Sequence, residues 1–305
     1  MNLAERAHRA FAGLQDTICA GLEALDGGAT FREDAWTYAP GAGVGEGGGR
    51  TRVISGGKVF EKGGVNLSAV TGRLTARLAG HLGVQPQPIY ATGLSLVLHP
   101  LSPHVPTVHM NVRYLELLGA DGHGWFGGGA DLTPYYLVEE DARHFHRVLR
   151  AACDEHAAGD YPRFKHGCDE YFYLPHRGEA RGVGGIFFDY LKDDPEATFA
   201  FATAVGAAFL PAYGPIVKRR RDTPWSDAER EWQLLRRGRY VEFNLIHDRG
   251  TLFGLETGGR TESILMSLPP VVHWAYDHSP AEGSAEALLL AALRSPRDWL
   301  AAGDR

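Results

Sequence analysis

VHMNVRYLEL, residues 108–117, alternates polar and apolar side chains over most of its length, and this period of two decides the fold class. In a strand, residues two apart share a face. His109, Asn111 and Arg113 therefore point one way, and Met110, Val112 and Tyr114 the other. LSLVLH, residues 94–99, repeats the pattern, with Ser95, Val97 and His99 opposite Leu94, Leu96 and Leu98. Two such segments predict an antiparallel sheet with one apolar side. A face that only meets water favours Lys, Glu and Thr, whereas this one offers histidines, an asparagine and an arginine. The pattern leaves a solvated face and a ligand face both open.

Outward from these strands the signals alternate. Leu3, Ala7, Phe11, Leu14, Ile18, Leu22 and Leu25 stand at helical steps, and Gly27-Gly28 ends that helix. GAGVGEGGG, 41–49, reads as a loop. Its GxGxxG is no dinucleotide fingerprint, because the following TRVISGGKVF reads as strand, turn, strand rather than helix. A helix is predicted from about Glu139 to Ala157. Asp194-Pro195-Glu196 opens another over the apolar run 197–217, expected to be buried, to stop near Pro211 and not to span a membrane. RYVEFNLIHDRGTLFGLET reads as a hairpin turning at Asp248-Arg249-Gly250, and Ser279-Pro280-Ala281-Glu282 as a capping box. The expectation is one α+β domain over residues 1–305 with a large antiparallel sheet.

Composition narrows the function. A net charge of −6 over 305 residues argues against a nucleic-acid binder. Two basic runs, KRRR at 218–221 and RRGR at 236–239, read as solvated faces, or less commonly as a landing surface for an anion. Three cysteines without a CxxC pair, and no leader-like apolar core in MNLAERAHRAF, predict a reducing, cytoplasmic setting.

Candidate chemistry gathers in three places. WFGGGADLTPYY, 125–136, sets three glycines before Asp131, a pattern that suits a phosphate or any closely approaching ligand. FKHGCDEYFYLPHRGEARGVGGIFFDYL, 164–191, places Lys165, His166, Arg177 and Arg181 among aromatics and glycines. Those arginines suit carboxylate or phosphate, or else a surface network with acids such as Glu179. His99, His109, His146 and His176 have no local metal-binding spacing, there is no HExxH, and Gly93-Leu94-Ser95 fails as a nucleophile elbow because Val97 replaces the second glycine.

HMNVR at 109–113, WFGGGADLTPYY, CDEYFYLPHRGEARGVGGIFFD at 168–189 and RYVEFNLIHDRGTLFGLETGGRTESILMSLPP at 239–270 together resemble oxygen-dependent coproporphyrinogen III oxidases, over about Ala4 to Leu300. Gly167, Tyr190 and His247 depart from that family's usual tryptophan, second acid and tyrosine. The resemblance implies a flat, mostly antiparallel sheet sandwiched by helices, and a homodimer built around residues 240–270. It implies oxidative decarboxylation of two propionates of coproporphyrinogen III to vinyl groups. Dioxygen is then the co-substrate, carbon dioxide and hydrogen peroxide are released, and no organic cofactor takes part.

It further implies that His109 donates a proton, that Asp131 sits beneath the macrocycle as base and acceptor for pyrrole N–H groups, and that Arg113 holds a propionate or guides the peroxide. Ser95, Asn111, Val112, Arg113, Arg177, Arg181, Gly258, Gly259 and Arg260 are implied as substrate contacts, and His99, His109, His146 and His176 as ligands of a divalent metal. His144 and His146, two apart on a helix, cannot easily share one metal. The glycines of WFGGGAD are then expected to admit a flat tetrapyrrole rather than a phosphate. Two rivals remain, a tetrapyrrole-binding protein without chemistry and a histidine-bound metal oxygenase.

Overall fold

The alternating segments pair as their apolar sides require. In the computed structural model, which describes all residues except 39–44, 75–78, 81–83, 120–122, 257 and 302–305, Leu94, Leu96 and Leu98 face Val112, Met110 and Val108 across an antiparallel ladder. Ser95 and Val97 face Asn111 and His109 on the other side. A slip of one residue would turn the leucines toward the polar side. Each is fully buried, at about 1.5–3 kcal/mol per side chain, so the register is held firmly.

The strands are β1 (Arg32–Thr37), β2 (Glu46–Ser55), β3 (Phe60–Arg73), β4 (Pro88–Pro100), β5 (Thr107–Leu117), β6 (Gly124–Thr133), the short pair β7 (Tyr173–Leu174) and β8 (Glu179–Ala180), and β9 (Gly184–Leu191). Seven form one antiparallel sheet ordered β1-β2-β3-β4-β5-β6-β9, which is the expected α+β architecture. Its apolar face is covered by α1 (Leu3–Asp26), closed by Gly27 at φ 66°, together with α2 (Glu139–Asp154), α3 (Tyr161–Tyr171) and α4 (Pro195–Arg220). The polar face is overlaid by α5 (Asp227–Ile246), α6 (Arg249–Glu256) and α7 (Thr261–Leu265). Contacts such as Thr51 Oγ1 to Ser263 Oγ at 2.7 Å and Met266 over Gly64 tie them down. A last helix, α8, runs Ala285–Arg294.

Several expectations are corrected. Helix α4 does not stop at Pro211 but runs through it and Pro215 to Arg220. Pro215 cannot donate to the carbonyl of Pro211, and His144 Nε2 bonds that carbonyl instead, at 3.0 Å. The helix is long and apolar enough to cross a membrane, but Phe201, Val205, Phe209, Tyr213, Ile216 and Val217 sit in the core beneath the sheet. RYVEFNLIHDRGTLFGLET is two helices, not a hairpin. Ser226 and Glu229 form the capping box of α5, and Asp248 Oδ2 accepts from the N–H and hydroxyl of Thr251 to open α6. The segment therefore supplies no strand edge for association. Helix α8 begins after Gly283, whose φ of 74° no helix accommodates, and is capped by Ser284 rather than Ser279. Glu46–Gly49 belong to β2, not to a loop, with Gly49 packed under Trp36; residues 41–44 lie outside the described chain.

The two basic runs part company: in KRRR Lys218, Arg219 and Arg221 are exposed, as a solvated face requires, whereas Arg236 and Arg237 of RRGR are buried. Arg219 and Arg220 both hold Asp141; Arg236 holds Glu179, Arg237 holds Glu61 and Arg239 holds Glu242. These acids are mostly remote in sequence, which is why charge pattern alone misreads the second run. All three cysteines are buried and free.

Candidate active site

β5 carries a directed chain of hydrogen bonds on its polar face. Arg113 Nη1 donates to Asn111 Oδ1 at 2.8 Å, which fixes the amide so that its Nδ2 points at His109 Nε2, 3.2 Å away. An amide nitrogen only donates, so Nε2 accepts. Nδ1 then carries the ring proton and donates to Asp131 Oδ1 at 2.8 Å, from the directly opposed position on β6. Strand period and register alone line these groups up.

Behind Asp131 lies Arg181, whose side chain is 2% exposed. Its Nη2 donates to both carboxylate oxygens at 2.8 Å and its Nη1 to Asn244 Oδ1 at 3.1 Å. The guanidinium is caged by the rings of Phe172, Tyr240 and Phe243 at 4.0, 4.7 and 4.7 Å. Burial alone would raise the Asp131 carboxyl, but Arg181 and then His109 outweigh it and hold the group below the ordinary carboxylate value. Arg181 thus reaches Asp131 and not the open side, so the expected substrate contact is not found there.

The other expected residues divide. Ser95 lies beside Asn111 on the same face. Val112 does not, because its side chain is fully buried in the core on the opposite face. Arg260, at the start of α7, pairs with Asp34 of β1 at 2.5 Å and with Ser263 at 3.0 Å. It follows the turn of Gly258, at φ 71°, and Gly259. Arg177 is elsewhere, forked onto Glu242 at 2.8 and 2.6 Å, beside His176. The glycines of WFGGGAD are filled by the protein itself. A Cβ at Gly127 would meet Asp189 and Arg113, at Gly128 the Phe188 ring and Asn111 O, and at Gly129 the Ile186 carbonyl.

The four histidines do not converge on a metal, and no cluster of three or more His, Cys, Asp or Glu fit to hold one occurs among the described residues. His99 is buried between Thr107 and the Ser267 carbonyl, His146 between the Tyr161 hydroxyl and the Val183 carbonyl, and His176 pairs with Glu242 and His247. With both ring nitrogens of each engaged, the implied ligand set does not fit.

Two groups escaped the sequence reading. Arg249 stacks 4.8 Å from the Tyr171 ring and 5.7 Å from Phe187, a residue on the site's side of β9. Asp248, half-buried, accepts from the Tyr171 hydroxyl at 2.8 Å. Both were taken for turn residues, and the only signal that could have found them was the aromatic run Tyr171–Tyr173.

Comparison with known proteins accords with this geometry. The family model described as coproporphyrinogen III oxidase matches residues 6–299. The chain is 51% identical over 300 residues to the oxygen-dependent coproporphyrinogen-III oxidase, chloroplastic, of Glycine max, covering 94% of this chain and 77% of that protein. That relative's chloroplastic setting overturns the cytoplasmic expectation, since free cysteines select reducing surroundings and not one compartment. With a match from Arg6 to Trp299 and identity at this level, the chain belongs to the coproporphyrinogen III oxidase family.

Proposed function

We infer that this chain catalyses the oxygen-dependent oxidative decarboxylation of coproporphyrinogen III, turning two propionates into vinyl groups and giving protoporphyrinogen IX in haem biosynthesis. For each propionate, a C–H bond and the bond to the carboxylate carbon break. Carbon dioxide leaves, and the electron pair and two protons end on dioxygen as hydrogen peroxide. The reduced macrocycle is electron-rich and becomes richer on losing a pyrrole N–H proton, so it can itself supply electrons to oxygen.

The observation that carries the reading is the chain from Arg113 through Asn111 and His109 to Asp131. The Nε2 lone pair of His109 is capped by Asn111 Nδ2; once that contact is released, the ring can take a proton there and return it, the kind of step worth about 10²–10⁴-fold. Asp131 steadies the positive ring that results. Its pairing with Arg181 argues for this charge-holding role and against Asp131 as the final proton acceptor. Arg113, part-exposed at the open end, is assigned to a propionate, as is Arg260 beside Gly258 and Gly259; Ser95 and Asn111 line the floor.

We assign residues 240–270 to a homodimer contact because Leu245, Ile246, Phe253 and Leu255 are exposed on α5 and α6. A 33 kDa species alone in sedimentation at micromolar concentration would remove that assignment. Turnover of coproporphyrinogen III with and without dioxygen tests the whole reading. Aerobic product with matching oxygen uptake is expected, and binding without oxygen uptake would leave only a tetrapyrrole carrier.

A further inference from the structure

β9 follows β6 in steady register from Gly184 opposite Leu132 to Phe188 opposite Gly128, and then slips by one residue so that Leu191 faces Phe126. Asp189 and Tyr190 together stand opposite Gly127, a β-bulge of the kind that re-aims a side chain. Tyr190 takes φ 55°, a conformation that a bulky residue adopts only under constraint. The bulge sends the Asp189 carboxylate back across β6, where its Oδ2 meets Arg113 Nη2 at 2.8 Å.

These two residues belong to strands two places apart, roughly 10 Å. They meet because Gly127 between them has no side chain. A Cβ there would stand 2.6 Å from Asp189 Oδ1 and 2.8 Å from Arg113 Nη2. Bulge, missing side chain and ion pair thus coincide at one point, on the open side of the sheet, with both partners still in contact with solvent.

We propose that Asp189 is a placeholder carboxylate, which occupies the Arg113 guanidinium in the empty site and is displaced by a propionate of the substrate. This rests on the assignment of Arg113 to a propionate. Both partners keep a second contact after release. Arg113 stays aimed by Asn111, and Asp189 Oδ1 keeps the N–H of Tyr190 at 3.0 Å. Asp189 touches no reacting atom in this scheme and sets how readily Arg113 is available.

The test is a cycle of Asp189→Asn, Arg113→Ala and the double variant. Coproporphyrinogen III is titrated without oxygen, and kcat and KM are then measured in air. Asp189→Asn is expected to lower Kd and KM roughly two- to fivefold, the scale of a part-exposed ion pair, with kcat within about twofold of the wild type. The tightening is expected to vanish when Arg113 is already Ala. Unchanged or weaker binding in Asp189→Asn, or a tenfold loss of kcat, would make Asp189 a permanent anchor and overturn the proposal. Tightening that persists without Arg113 would do so too, since it would be long-range charge. If Arg113→Ala binds normally, the propionate assignment fails first. If Arg113→Ala weakens binding while Asp189→Asn does not tighten it, only the placeholder fails.

Discussion

Two clusters in this molecule are built from the same parts. Each sets an arginine and a histidine on one carboxylate: Asp131 with Arg181 and His109, and Glu242 with Arg177 and His176, the second joined by Arg239 and Trp274. By hydrogen-bond geometry the second is the better made. Arg177 forks onto Glu242 through two nitrogens, whereas Arg181 offers Asp131 only Nη2 and leaves its buried Nε without a partner. The difference lies in solvent. Arg181 and Asp131 are each 2% exposed, while Arg177 is 38% exposed. Water and counter-ions screen the surface fork and leave the buried pair unscreened, so the more poorly forked bridge is the costlier one to break.

The largest effect should appear when the arginines are exchanged for an apolar residue of similar length. Arg181→Met leaves the Asp131 charge buried with only a histidine, and should cost about 3–5 kcal/mol of folding stability. Arg177→Met should cost under about 1 kcal/mol, because Arg239, His176 and Trp274 stay on Glu242 and Arg177 itself is part-exposed. Urea denaturation at neutral pH measures both, and equal losses would mean that burial does not separate the clusters.

The next effect is catalytic. Asp131→Asn keeps the shape and a carbonyl acceptor but loses the charge that steadies a protonated His109. Single-turnover rates with saturating coproporphyrinogen III should fall at least ~10²-fold while anaerobic binding partly survives. Combining it with Arg113→Ala should be little worse than the poorer single variant, because groups acting as one unit are strongly non-additive. A near-normal rate in Asp131→Asn would reduce Asp131 to a binding residue.

The central strands and their two faces were legible in the sequence because a period of two carries burial directly, as Leu94–Leu98 and Met110–Val112 show. The polar face named Ser95, His109, Asn111 and Arg113 by alternation alone. The helices after Ser226 were not legible. RYVEFNLI fits a strand and a helix alike, and burial of Tyr240, Val241, Phe243 and Asn244 decides for the helix only once α5 lies on the sheet. Arg177 and Arg181, four residues apart, read identically as carboxylate binders. What divides them is the aromatic cage drawn from Phe172, Tyr240 and Phe243, a tertiary fact that no local spacing contains.

The smallest of these effects comes from pH acting on the surface cluster. Burial alone would raise the Glu242 carboxyl, but hydrogen bonds from Arg177, His176 and Trp274, with Arg239 nearby, push it down to about 2 from an ordinary 4.5. A group whose pKa is lower in the folded state binds protons more readily when unfolded. Its contribution is therefore complete above pH 4.5 and is lost as pH falls from there toward 2. After allowance for solvent screening at the part-exposed partners, the contribution is on the order of 1–2 kcal/mol. Glu242→Gln should be less stable than the wild type by that amount at pH 7, with the gap narrowing below pH 4.5, roughly halved by pH 3 and closing toward pH 2. Asp131 is displaced in the same direction from an ordinary 3.8, so wild type and Glu242→Gln should both weaken further in acid through the buried cluster. Urea midpoints of the two proteins at pH 7, 5, 4 and 3 measure the gap. A gap that stayed constant down to pH 3 would show that the Glu242 charge does not stabilise the surface fork, leaving it a contact of geometry alone.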